Sequence, residues 1–101
     1  MEFQVFAREN CEICTKAQGV LKRLGIEALV RYVDGPNANP ENVADLAWLD
    51  WVDKPPLVVV TEGERVVKRW DGSEIADESR SWMQTVRGWL NTRSRGRAKS
   101  V

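Results

Sequence analysis

Cys11 and Cys14 are the only cysteines in the chain, and Glu12 and Ile13 separate them. Two thiols at this spacing can close a small disulfide across the first turn of a helix, or they can supply half of a tetrahedral metal site. At the start of a helix, unpaired N–H groups and the helix dipole favour negative charge. The first thiol is then stabilised as thiolate, the form that attacks a disulfide. Cys14, a turn further in, is placed to attack the mixed disulfide that results and to release it. Charges flank the pair with opposite effects: Glu12 works against the thiolate, whereas Arg8 and Lys16 favour it. At partly solvated positions these effects are of similar size, and the sequence alone does not give the sign of their sum. The chain has no histidine, which removes the Cys/His zinc patterns and any Cys–His nucleophile pair.

The flanking elements decide whether this chemistry is available. Glu2-Phe3-Gln4-Val5-Phe6 leads into the motif as a short, nearly continuous apolar run, the pattern of a central strand buried on both faces. Arg8-Glu9-Asn10 is a polar loop, with Asn10 as the expected N-cap. A helix follows, with Ala17, Val20, Leu21 and Leu24 on one face, and it stops at Gly25. Residues 28–33 read as a second strand, which completes a right-handed parallel βαβ unit. Asn39-Pro40-Glu41 has the order N-cap, first-turn proline, first-turn acid, and the helix it opens runs through Val43, Leu46, Ala47 and Leu49. Trp48 and Trp51 are expected to be partly exposed or to cap the core.

Lys54-Pro55-Pro56 breaks the pattern before a buried strand, Leu57-Val58-Val59-Val60. Thr61-Glu62-Gly63-Glu64 turns the chain into an antiparallel strand over residues 65–70. Asp71-Gly72-Ser73 reads as another turn. A last helix, starting near Asp77 or Ser79, puts Trp82, Val86, Trp89 and Leu90 on one face. Beyond Asn91 the apolar period ends, so residues 92–101, with Arg93, Arg95, Arg97 and Lys99, are expected to form a basic disordered tail on a domain of residues 1–91.

A chain of 101 residues with a hydrophobic fraction of 43% suits one domain with its own core. Fifteen basic residues balance fifteen acidic ones, so no global field points to nucleic acid or membrane. The basic tail, with no interleaved aromatics, is a weak signal for nucleic acid, which is not expected as a partner. No apolar run approaches the ~20 residues needed to cross a bilayer. No basic-then-apolar leader opens the sequence, so a reducing cytoplasm is the expected location, where such a cysteine pair is catalytic or metal-binding more often than a permanent staple.

Element order, cysteine motif and proline position resemble the thioredoxin-like superfamily, and the glutaredoxin branch most closely, over roughly residues 2 to 91. The stretch from Val5 to Cys14 resembles the opening of a glutaredoxin, and that from Pro55 to Glu64 is similar to the thioredoxin segment that begins at its cis-proline. The fold implied is α/β, a central mixed four-stranded sheet flanked by helices. The resemblance implies that Cys11 is exposed and nucleophilic and that Pro55 faces the pair, its neighbouring backbone binding a substrate chain. Lys54, beside that proline, and Trp70, at the groove rim, join the substrate-binding residues, although a strand-end tryptophan such as Trp70 is more often core.

Departures from the family are specific. Glu12-Ile13 replaces both the Gly-Pro and the Pro-Tyr pairs that fill such motifs. Val5 stands where thioredoxins carry a buried acid. Asp53-Lys54 and Trp70-Asp71-Gly72-Ser73 replace the residues by which glutaredoxins hold glutathione. Three function classes remain: a dithiol–disulfide oxidoreductase, a dimer sharing a metal or iron–sulfur cluster between its two cysteine pairs, and a non-catalytic interaction module. The first needs only what one chain contains, so the expectation is a monomeric enzyme without cofactor or bound metal. It would act on protein disulfides and draw electrons from a dithiol or a thioredoxin-type reductase in preference to glutathione.

Overall fold

The computed structural model describes residues 1–49 and 57–99. Strand β1 (Glu2–Ala7) leads through the cysteine loop into helix α1 (Glu12–Arg23), and strand β2 (Ala28–Tyr32) follows. Helix α2 (Pro40–Leu49) precedes the hairpin of β3 (Leu57–Glu62) and β4 (Arg65–Asp71). A short helix α3 (Gly72–Ala76) and a long one, α4 (Trp82–Lys99), close the chain. The strands form one four-stranded sheet in the order β2-β1-β3-β4, with β1 parallel to β2 and the other pairs antiparallel. The expected mixed sheet flanked by helices is therefore present, with β1 in its interior.

Strand alternation divides the core between the two faces. Phe3, Val5 and Ala7 of β1 join Val58 and Val60 of β3 beneath α1, α3 and α4, which contribute Ala17, Leu21, Ile75, Trp82 and Val86. The opposite face is thinner: Phe6, Leu57 and Val59 pack against Leu46 of α2. There the Arg31 guanidinium lies 4.9 Å from the centroid of the Phe6 ring and donates to Asn42 Oδ1 (2.8 Å), Gln4 Oε1 (3.0 Å) and the Asp45 carboxylate, tying α2 to the sheet. Trp48 is 89% exposed, further out than expected, because Leu46 takes the buried position on α2. Trp51 lies outside the described residues.

Local signals fix most element ends. Helix α1 closes with Gly25 at φ 73°, where its N–H bonds to the Lys22 carbonyl (3.0 Å) and that of Ile26 to the Leu21 carbonyl (2.9 Å). This left-handed closure is the one that a glycine past the helix end permits. Asn39 caps α2 as expected, its Oδ1 accepting from the Glu41 N–H at 2.9 Å. The second strand ends one residue short of Val33, although the Val33 N–H still bonds to the Ala7 carbonyl (2.9 Å). The hairpin turn is tighter than residues 61–64, since β3 runs through Glu62 and only Gly63 (φ 61°) and Glu64 turn the chain.

The C-terminal third differs most from the sequence reading. Asp71-Gly72-Ser73 is the start of α3: the Asp71 carboxylate accepts from the Glu74 N–H (3.0 Å), and the Glu74 side chain accepts from the Asp71 N–H (3.2 Å). That reciprocal pair is a capping box. Asp77 and Ser79 do not start the last helix. The Asp77 carboxylate instead accepts from the Ser79 N–H and hydroxyl (2.9 and 2.6 Å), and Ser81 caps α4 by accepting from the Gln84 N–H (3.3 Å). The helix then continues past Asn91 to Lys99, within the stretch expected to form the tail. Its first turns past that point are anchored, because Thr92 donates to the Gly88 carbonyl (2.9 Å) and Arg93 pairs with Glu62 while lying 5.4 Å from the centroid of the Trp89 ring. Arginine, lysine and alanine are also good helix formers, so loss of the apolar period does not end the helix. Among the described residues no helix is long and apolar enough to cross a membrane.

Candidate redox site

The site forms where β1, in the interior of the sheet, hands the chain to α1. Ala7 is the last buried residue of the strand. Asn10 then adopts φ 53°, a left-handed conformation that asparagine tolerates better than most residues. This turn moves the cap one residue onward. Cys11, not Asn10, is the N-cap of α1, with extended backbone (φ −112°, ψ 114°) and a sulfur that accepts from the Cys14 N–H at 3.1 Å. The Cys11 carbonyl receives both the Thr15 N–H (3.1 Å) and its hydroxyl (3.0 Å), so the first turn is closed around the cysteine.

Cys11 and Cys14 are joined as a disulfide with Cα atoms 5.2 Å apart, inside the usual span of about 4.4–6.8 Å. Their environments differ. Cys14 is 2% exposed and belongs to the core cluster under α1, whereas Cys11 is half-buried and opens onto a shallow cleft with Asn10, Glu12 and Thr15. A partner sulfur arriving from solvent therefore meets Cys11 first. Glu12 is exposed at the first helical position, where the dipole favours a carboxylate. Lys16 is exposed one turn on, in the continuation of the cleft along α1 with Gly19, Val20 and Arg23. It also lies close enough to Asp77 to favour that carboxylate, whose pKa is held below its usual range mainly by the Ser79 hydroxyl and N–H.

Arg8 is committed elsewhere. Its Nε stands 3.3 Å from Asp34 Oδ2, in the loop after β2, in an ion pair between two half-exposed side chains. Asp34 Oδ1 accepts from the Glu9 backbone N–H (3.0 Å), and Asn37 donates to the Glu9 carboxylate (2.8 Å). Gly35, at φ 77°, lies directly under the Glu9 side chain: a Cβ there would collide with Glu9 Cγ. The sequence reading missed this clamp. Its signal was a run of turn-forming residues, Asp34-Gly35-Pro36-Asn37, but nothing local says that the run grips a loop 25 residues away.

Two of the remaining expected residues, Lys54 and Pro55, lie outside the described residues. Trp70 is not at a groove rim. It is 1% exposed, with its ring edge-to-face against Trp82 (5.7 Å) and Trp89 (5.6 Å). The cause is register: Trp70 stands opposite Val58, on the sheet face covered by α4. Val5 is fully buried, and among the described residues the core holds no buried polar or charged side chain.

No family model matches the sequence, and neither does any curated protein. A solved structure does: thioredoxin 1 from the thermophilic eubacterium Thermosipho africanus TCF52B superposes with a TM-score of 0.60 at 21% identity, over 93% of this chain and 99% of that one. Sheet order, helix placement and this superposition agree: the chain has the thioredoxin-like fold, and its paired cysteines are the cap and the first turn of the helix that follows the first strand.

Proposed function

We propose that this protein is a thiol–disulfide oxidoreductase that reduces or exchanges disulfides in protein substrates through Cys11 and Cys14. The observation that carries this reading is the asymmetry of the pair: a half-buried N-cap sulfur bonded to a buried one within the first turn of α1. In the reduced protein the Cys11 thiolate attacks one sulfur of a substrate disulfide. A mixed disulfide forms, and the other substrate sulfur leaves as thiolate. Cys14, after losing its proton, then attacks Cys11 Sγ. The protein disulfide closes and the second substrate sulfur departs as a thiolate, so the substrate gains two electrons and the protein loses two. The Cys14 N–H and the α1 N-terminus favour negative charge on Cys11 whenever it is the departing group or the attacking one.

The electron donor is a dithiol or a thioredoxin-type reductase in preference to glutathione. Support comes from α3, where a carboxylate ligand would seek free N–H groups. Asp71 already occupies that helix start, and its pKa is lowered by the Ser73 hydroxyl and the Glu74 N–H, so a second carboxylate would meet a like charge. Lys54 and Pro55 remain the proposed substrate contacts, because β3 begins at Leu57, opposite Phe6, at the sheet end that carries the cysteine loop. A monomer in a reducing compartment such as the cytoplasm, where such a donor returns the two electrons to the Cys11–Cys14 disulfide, is the proposed setting for this cycle.

The test is a trapping experiment. Cys14→Ser should accumulate a Cys11–substrate mixed disulfide visible by mass, and Cys11→Ser should abolish attack. Wild-type turnover should be faster with dithiothreitol or a reductase than with saturating glutathione. Equal labelling of both thiols across pH, without disulfide formation under mild oxidant, would refute the oxidoreductase reading; faster turnover with glutathione would refute the choice of donor.

A further inference from the structure

The loop that presents Cys11 has no apolar anchor of its own: Arg8 and Asn10 are exposed and Glu9 is half-buried. Its position is set from the loop after β2, through three contacts that converge on two residues. Asp34 uses both carboxylate oxygens, one on the Glu9 N–H (3.0 Å) and one on Arg8 Nε (3.3 Å). Asn37 holds the Glu9 carboxylate from the other side (2.8 Å), and the bare Gly35 backbone lets Glu9 lie close. Beyond this grip the chain has one residue, Asn10 in its left-handed conformation, before the cysteine. A change in the Glu9 backbone therefore transmits to Cys11 across a single strained residue.

We propose that Asp34 is a positioning residue for the redox cysteine: its carboxylate fixes the loop that aims Cys11 and at the same time offsets the charge of Arg8. The inference rests on the oxidoreductase reading for its activity readout, but not for its chemical one. The two functions of the carboxylate are separable by substitution. Asp34→Asn keeps an oxygen that can accept from the Glu9 N–H and loses the negative charge. Asp34→Ala loses both. With the charge gone, Arg8 is free to favour the thiolate, so Cys11 ionises at lower pH. Between partly solvated groups, one unit charge is worth roughly a two- to threefold change in thiolate fraction.

The full chain carries the test, with each variant first checked for folding by circular dichroism. Reduced protein is alkylated with iodoacetamide across pH, Cys11 is followed by mass, and reduction of insulin disulfides by dithiothreitol is measured in parallel. Asp34→Asn should turn over faster than Asp34→Ala while the alkylation midpoint moves to lower pH, raising Cys11 labelling near neutrality about twofold. Asp34→Ala should lose turnover by about threefold or more, and Asp34→Asn should recover it. A purely structural role would lower stability in both variants and leave the alkylation profile unmoved. Wild-type profiles and turnover in folded Asp34→Ala overturn the proposal, as does Asp34→Asn that is as slow as Asp34→Ala with an unshifted midpoint. A wild type with no exchange activity but an Asp34-dependent Cys11 profile would refute the oxidoreductase reading and keep the positioning role.

Discussion

Trp70 offers the most direct test of how the site is divided from the core. The ring is 1% exposed and stands edge-on to two other indoles, at 5.7 and 5.6 Å, with Lys68 Nζ 5.5 Å from its centroid. An indole buries about 150–250 Å², which at ~25 cal/mol per Å² contributes roughly 4–6 kcal/mol. Truncation to alanine removes most of this and leaves a cavity, so the expected cost of Trp70→Ala is about 3–5 kcal/mol. Against a total stability of the order of 5–15 kcal/mol, that variant is marginal or unfolded. Trp70→Phe keeps one ring and is expected to lose about 1–3 kcal/mol. In a urea titration followed by circular dichroism, with a slope near 1–3 kcal/mol per M, its midpoint falls by about 1 M. The decisive arm is activity. Well below the unfolding transition, Trp70→Phe should alkylate at Cys11 and turn over substrate at the wild-type rate, because the ring does not reach the cleft. A variant that keeps its urea midpoint but loses exchange severalfold would put Trp70 back at the groove and refute the packing argument.

Two further perturbations follow from named contacts. Removing the α3 cap with Asp71→Ala should cost about 1 kcal/mol at neutral pH. Since the folded protein holds the Asp71 pKa below its usual 3.8, this contribution is complete above that value and is lost as pH falls through the lowered one. The gap between wild type and Asp71→Ala in thermal or urea unfolding should therefore be constant near pH 6 to 7 and shrink once the pH falls below 3.8; a gap that widens in acid would contradict it. Arg31→Ala should cost about 2–4 kcal/mol, since it leaves Gln4, Asn42 and Asp45 without their shared donor. Arg31→Lys should recover only part of the loss, because an ammonium cannot span the same partners. A loss below about 0.5 kcal/mol for Arg31→Ala would show that α2 does not depend on this contact.

What the sequence disclosed was whatever a short window determines. Helix α1, with its apolar face and Gly25 closure, and the Asn39-Pro40 start of α2 are written in adjacent residues, and the folded chain uses them as read. The cysteine spacing likewise carried the pair, since three intervening bonds of helix bring the two Cα atoms within disulfide reach. What was hidden depends on partners far along the chain. The Asp34 grip on Glu9 joins two loops across a strand and a helix. The burial of Trp70 follows from its register with Val58 and from the line taken by α4, neither of which a pattern over residues 65–73 contains. The cap at Cys11 was obscured for a different reason. Asparagine is the better capper by type, but it is also the residue that tolerates positive φ, and here the backbone used the second property.

Topology explains why the paired cysteines and the loops around them meet at this turn rather than elsewhere on the sheet. From β1 the chain crosses over one face through α1 to reach β2, and from β2 it crosses the other face through α2 to reach β3, on the far side of β1. The carboxyl end of β1 is thus the point from which the two connections diverge, the kind of crevice where open α/β sheets bind ligands. Three chain segments arrive there: the Cys11 loop, the Asp34 loop after β2, and the start of β3 at Leu57. Two of these are already engaged with each other through Asp34 and Glu9. The first turn of α1 adds donors for negative charge at the same place, and burial of Cys14 beneath it leaves Cys11 as the sulfur that faces outward. A fold that only needed to bury its core would have no use for a half-exposed sulfur at an N-cap, where serine, threonine, aspartate or asparagine caps better. A cysteine at that position, held by a neighbouring loop and backed by a second cysteine one turn inside, is the arrangement on which the proposed thiol–disulfide exchange rests.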